Sequence, residues 1–175
     1  MWASWQPRPT PARCGLCDRV QIQMADPFVG HASVTVNAPR ATVWDALVNP
    51  DTIMQYMPVT SVVSEWEEGS PIVWRSEFQG KRFEVKGTVL RLQPDRLLEY
   101  DHSLPIFRAF ERSHSSASYQ RVTIELRDEG EQTHVSVTEK GNKTRRELEH
   151  SEGSWRMVLN GMKALLEATS VVPMR

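Results

Sequence analysis

The residues with obvious chemical potential are few and scattered. Cys14 and Cys17 stand in a C-x-x-C spacing, which holds zinc where two further ligands join it and does redox work where it opens a helix after a strand. No second pair follows, His31 alone leaves such a set one ligand short, and the flanks read as neither strand nor helix. Two reduced thiols are the simpler reading. The five histidines, His31, His102, His114, His134 and His150, share no ligand spacing, so no metal and no cofactor is expected. His134, between Thr133 and Val135 on an alternating segment, reads as facing outward or as satisfied at an edge.

Acid–base chemistry has its raw material in Arg75, Glu77, Glu84, His102, Arg108 and His114. Proton transfer needs two such groups converging within hydrogen-bond reach of a substrate, and these form no compact constellation. His102 and His114 flank a loop, where a titratable group is expected to face water. No G-x-S-x-G elbow, H-E-x-x-H helix or phosphate loop occurs.

The elements that would have to position any site are easier to read. At 175 residues, with 39% hydrophobic and 25% charged side chains, the chain has the size and composition of one soluble domain with a tail. A net charge of −1 provides no basic field for nucleic acid or anionic lipid. No apolar run reaches membrane-spanning length and no secretory signal opens the chain, so the cytoplasm is the expected compartment. Residues 1–27 carry Trp2, Trp5, Pro7, Pro9, Pro11 and Pro27 without periodicity. They read as a flexible tail, or as sequence upstream of a natural start at Met24, ahead of one domain over residues 28–170.

From Gly30 the pattern becomes regular. Residues 31–36 alternate as a half-buried strand. Pro39 then sits where a first helical turn tolerates it, and Val43, Trp44, Leu47 and Val48 fall at helical spacing. Asn49-Pro50-Asp51 starts a second short helix that Pro58 ends. Strand patterns follow at 62–66, 72–78, 82–92, 96–100, 119–127 and 133–140, separated by turn residues. Residues 102–118 read as a loop with a short helix carrying Ile106, Phe107 and Phe110. In the last segment Trp155, Val158, Leu159, Met162, Leu165 and Leu166 make one apolar stripe. Glu152, Arg156, Lys163 and Glu167 occupy its other face, and the helix begins near Arg145 or Ser151. This order predicts an α+β fold in which six to seven antiparallel strands curve around the long terminal helix.

The stretch Val36-Asn37-Ala38-Pro39-Arg40-Ala41-Thr42-Val43-Trp44-Asp45-Ala46-Leu47 resembles the opening of SRPBCC (START-like, birch-pollen-allergen-like) domains. The run from His150 to Glu167 resembles the terminal helix of one branch, the activator of heat-shock-protein-ninety ATPase homologue family, in its C-terminal domain type. Gly87-Thr88-Val89-Leu90, Pro94, Leu98-Glu99-Tyr100 and Val137-Thr138-Glu139 fall between them in the matching order. The resemblance covers about residues 30–168 and implies a helix-grip fold with a ligand cleft between sheet and helix. In eukaryotic co-chaperones a related domain follows a separate chaperone-binding domain, so chaperone contact is not carried over.

Resemblance and pattern together place Trp44, Met54, Tyr56, Met57, Trp74, Phe78, Tyr100, Phe107, Phe110, Trp155, Leu159 and Met162 at the cleft. Adaptable Met side chains and aromatic rings with polar tips suit an irregular apolar ligand, such as a lipid, an aromatic or a polyketide-like molecule. For any one of them, filling a dry core is the simpler reading, while for the set as a whole the grip architecture implies a cavity. Noncatalytic binding of a small apolar molecule is therefore the leading expectation. A cyclase- or hydrolase-like enzyme on a polyketide-like substrate stays open beside it, as does an interaction module, including a homodimer. The mixed-charge stretch 139–152, which would serve such a module, reads as a solvated turn and helix start.

Overall fold

The structure, a computed structural model, describes residues 28–78, 80–103 and 119–169. The expected tail with Cys14 and Cys17 lies outside the described residues, as do Phe107, Arg108, Phe110 and His114. Strand β1 (Gly30–Val36) leads into helices α1 (Arg40–Val48) and α2 (Pro50–Tyr56). Strands β2 (Ser61–Ser64), β3 (Pro71–Phe78), β4 (Lys81–Gln93), β5 (Leu97–Ser103), β6 (Tyr119–Glu129) and β7 (Gln132–Lys140) follow, then helix α3 (Arg145–Thr169). The seven strands form one antiparallel sheet in the order β1-β7-β6-β5-β4-β3-β2. The three helices of the described residues, segregated from that sheet, make the α+β helix-grip arrangement expected.

Local chemistry sets the boundaries. The Asn49 side chain accepts from Asp51 N at 3.0 Å and Pro50 takes the first position of α2, a donor-free site where its missing N–H costs nothing. Helix α3 starts at its earlier candidate position because Thr144 caps it. Thr144 Oγ1 accepts from Glu147 N at 3.2 Å, and Glu147 Oε2 accepts from Lys143 N at 2.7 Å. This T-x-x-E pairing satisfies one amide of the first turn and one just ahead of the cap. In β4 the register shifts between Val89 and Arg91, a bulge of the kind that bends and twists a sheet locally.

The core lies between the inner sheet face and the helices. Val36, Val43, Ile72, Val89, Val122 and Met162 are fully buried there. Each buried side chain of this size stabilises by about 1.5–3 kcal/mol relative to an exposed one. Thr133 Oγ1, also buried, donates to Ala38 O at 2.8 Å and fixes the exit from β1.

The charged face of α3 meets β1. His31 N donates to Glu152 Oε1 at 3.3 Å, Asn37 N to Glu167 Oε1 at 2.9 Å, and Lys163 Nζ to Thr35 O at 2.7 Å. Three side chains from the face opposite the apolar stripe thus cover backbone groups of edge strand β1 and of Asn37 just after it. An uncovered edge would offer those groups to another strand. Glu139, expected in a solvated stretch, is only 5% exposed, because strand alternation carries it to the inner face beside Val137 and Val135.

Candidate functional site

A cavity of about 30 Å³ lies between α3, α2 and the inner sheet face. Met57, Tyr56 and Ile53 reach it from the α2 region, Trp155, Val158, Leu159 and Met162 from α3, and Trp74, Leu98, Tyr100 and Ile124 from the sheet. Leu47 of α1 and Trp66 of the β2–β3 loop complete the wall. The volume is enough for one or two waters.

Of the residues expected at the cleft, Tyr56, Met57, Trp74, Tyr100, Trp155, Leu159 and Met162 line it. Trp44 does not, since it packs half-buried against the core from α1. Met54 does not either: at 36% exposure it sits on the outer side of α2. Phe78 ends β3, and its side chain, like Phe107 and Phe110, lies outside what is described. Leu47, Ile53, Trp66, Leu98, Ile124 and Val158 were not anticipated. Period-two alternation from Tyr100 reaches Leu98, and the apolar stripe of α3 already held Val158. Trp66 had no such signal, because its pattern read as the end of a strand that in fact stops at Ser64.

Helix contact at one side of the site depends on Gly161, where a Cβ would come within 3.3 Å of Tyr56 O. That close approach lets α3 and α2 meet around Tyr56, whose hydroxyl donates to Ala46 O at 2.9 Å. Burial pushes the Tyr56 and Tyr100 hydroxyls far above the ordinary phenol range, so both stay protonated.

Behind the wall on its sheet side lie polar groups, Glu139 and His102, that do not themselves line the cavity. Trp155 Nε1 donates to Glu139 Oε2 at 2.7 Å. Trp74, Tyr100 and His102 form an aromatic cluster with ring centroids 5.2 to 6.2 Å apart. His102 therefore belongs to strand β5 and packs inward, correcting the expectation of a solvated loop residue. Strand β5 runs on to Ser103 and places His102 two residues beyond Tyr100 on the same face. Its Nδ1 is buried with no hydrogen-bond partner among the described residues. Burial holds this imidazole below its ordinary range, opposed by the carboxylates of Glu139 and Asp101.

The remaining acid–base candidates point elsewhere. Arg75 Nε and Lys86 Nζ meet Glu84 at 3.1 and 3.2 Å, and Arg82 faces Glu77 at 3.8 Å. Alternation puts this exposed ladder on the sheet face opposite Trp74. The hydrogen bond from Lys86 foremost holds the Glu84 carboxyl below its ordinary range, opposed by desolvation and helped by Arg75. His134 shares a hydrogen bond with Thr35 Oγ1 at 3.2 Å across β1 and β7. Among the described residues, no group of three or more His, Cys, Asp or Glu gathers as a metal site, and no helix is long and apolar enough to cross a membrane.

The model of one protein family, described as Activator of Hsp90 ATPase homolog 1-like protein, matches residues 37–167. No curated protein matches the chain. Among solved structures, ChR145 from Cytophaga hutchinsonii is similar at 38% identity and a TM-score of 0.73, over 85% of this chain and 100% of that one. CalU16 from Micromonospora echinospora is similar at 18% identity and 0.59, over 79% and 81% of the two chains. The Aha1 dimer from Colwellia psychrerythraea is similar at 18% and 0.62, over 79% and 96%. The latter two likenesses concern the fold alone.

Proposed function

The chain belongs to the Activator of Hsp90 ATPase homolog 1-like family, and we propose that it binds a small hydrophobic molecule, without transforming it, in the cavity between sheet and α3. The observation that carries this reading is the wall itself: thirteen residues from three helices, the sheet and one loop, nearly all apolar or aromatic, border one partly open cavity of about 30 Å³. A well-packed core leaves few voids larger than a water. A ligand larger than a water would have to displace lining side chains, and Met57 and Met162 are the adaptable ones. Burial supplies the affinity. At about 25 cal/mol per Å², burying roughly 300 Å² of apolar area contributes about 7 kcal/mol before ordering costs. The family name is not extended to chaperone stimulation, because family-level likeness locates a site and not an activity. The proposal takes the cytoplasm as the compartment.

Native mass spectrometry of protein purified from its own host, with solvent extraction of what is retained, tests the reading. A stoichiometric apolar adduct lost on denaturation is the expected result. Protein that is empty from the host and also fails to take up small aromatic probes would overturn it.

A second reading, proton transfer on such a molecule, is favoured by His102, which packs on the wall residues Trp74 and Tyr100 and whose Nδ1 has no hydrogen-bond partner among the described residues. It requires the extracted molecule to change chemically on incubation with the protein, and to remain unchanged with His102→Gln. Self-association is a separate partner reading, raised by the Colwellia dimer and tested by sedimentation at micromolar concentration.

A further inference from the structure

We propose that Trp66 is a polar recognition point in this cavity, donating its indole N–H to an oxygen acceptor, such as a carbonyl, on an otherwise apolar ligand. The inference rests on the reading that the cavity takes an apolar molecule and adds what chemistry that molecule carries.

Two independent observations single out Trp66. Its Nε1 is buried with no hydrogen-bond partner among the described residues, although the side chain lines the cavity. Two other polar tips of the wall are already committed, Tyr56 to Ala46 O and Trp155 to Glu139. A buried donor left unmatched is costly, and an indole N–H can only donate. The missing partner must therefore be an acceptor.

The backbone is the second observation. Trp66 has φ +52°, a left-handed conformation that is a strained outlier for a bulky residue. The surrounding loop holds it there. Trp66 N donates to Ser64 Oγ at 3.1 Å and Glu67 N to Ser70 Oγ at 3.2 Å. Gly69 N and Ser70 O pair with Val89 of β4 at 2.8 and 2.9 Å. Leu92 N donates to Glu68 Oε1 at 3.0 Å. A loop tied to β4 at three points maintains a conformation that tryptophan alone would leave, and the ring it fixes in the cavity wall carries the unmatched donor.

The test uses acetophenone and α-methylstyrene, which share a shape but differ in a carbonyl oxygen against a methylene carbon. A carbonyl gives up water on entry, so the readout is the change on substitution rather than absolute affinity. Titrations of the full chain, followed by 15N-resolved NMR, should show acetophenone moving the Trp66 indole N–H downfield. Trp66→Phe should weaken acetophenone about tenfold, the worth of one hydrogen bond of roughly 1.4 kcal/mol, and α-methylstyrene less than about twofold. Equal losses for both probes, with no selective movement of the Trp66 signal, would overturn the inference while leaving the cavity reading intact. Failure of both probes to perturb the Leu98 and Ile124 methyls would overturn the inference and, in protein that also carries nothing from its host, the cavity reading with it. If Trp66→Phe does not fold, the wild-type contrast between the two probes at the assigned Trp66 signal decides.

Discussion

Trp155 Nε1 and Glu139 Oε2 lie 2.7 Å apart, a hydrogen bond that joins α3 to the inner face of β7. A carboxylate on an apolar sheet face is costly unless a donor meets it. The indole supplies that donor while its ring closes the cavity wall. One contact thus serves both the packing of the helix and the shape of the site.

Trp155→Phe keeps most of the ring and removes the donor. It should lower unfolding free energy by about 2 kcal/mol, the range for a hydrogen bond to a charged group. Trp155→Ala should cost about 3–5 kcal/mol by removing the packing as well. Urea denaturation measures both. A Trp155→Phe loss below about 0.5 kcal/mol would mean that water replaces the indole at Glu139.

Gly87 lies opposite His102 in the β4–β5 register. A Cβ there would collide with Asp101 O and come 3.1 Å from the Trp74 ring. Since a strand backbone cannot yield as a side-chain tip does, Gly87→Ala should destabilise by about 3 kcal/mol. The displaced Trp74 should also alter the near-ultraviolet circular dichroism. An unchanged spectrum and midpoint would contradict this packing.

His102 gives a pH signature. Above the ordinary histidine pKa of about 6.5, folded and unfolded chains both hold it neutral. As pH falls below that value the unfolded chain takes the proton while burial makes the folded chain resist it. His102 thus favours the folded state above that value, and this contribution is lost as pH falls towards the folded pKa. The stability of wild type relative to His102→Gln should therefore decrease between pH 7.5 and 5.5. Glu139 and Asp101, which favour the imidazolium, limit the effect. A difference that grows on acidification would place a charged His102 in the folded protein.

Val158 is half-buried at the cavity wall. Val158→Phe should occupy the space from the helix side and weaken acetophenone binding about tenfold or more. The melting temperature should stay within a few degrees, as for surface-proximal changes. Undiminished binding would place the probe elsewhere on the protein.

The elements were legible because local pattern dictates them. Alternation in 31–36 and 133–140, Pro39, Asn49-Pro50, and the apolar stripe from Trp155 to Leu166 each specify a local backbone conformation and the side that faces inward. Much of the cavity wall was legible for the same reason, since an inward stripe on α3 must meet an inward face on the sheet. Polar placement was not legible. Sequence shows that Glu139 carries charge but not that an indole 16 residues later will meet it. It shows Lys163 on the charged side of a helix but not that Thr35 O, 128 residues away in sequence, waits beside it. Trp66 read as strand because nothing local announces a left-handed tryptophan. Periodicity together with turn and capping residues determined the order of the elements and the apolar face of most of them. Only the tertiary structure decided which polar groups were buried and which donor was left unmatched, because those depend on distances between segments that local sequence does not encode.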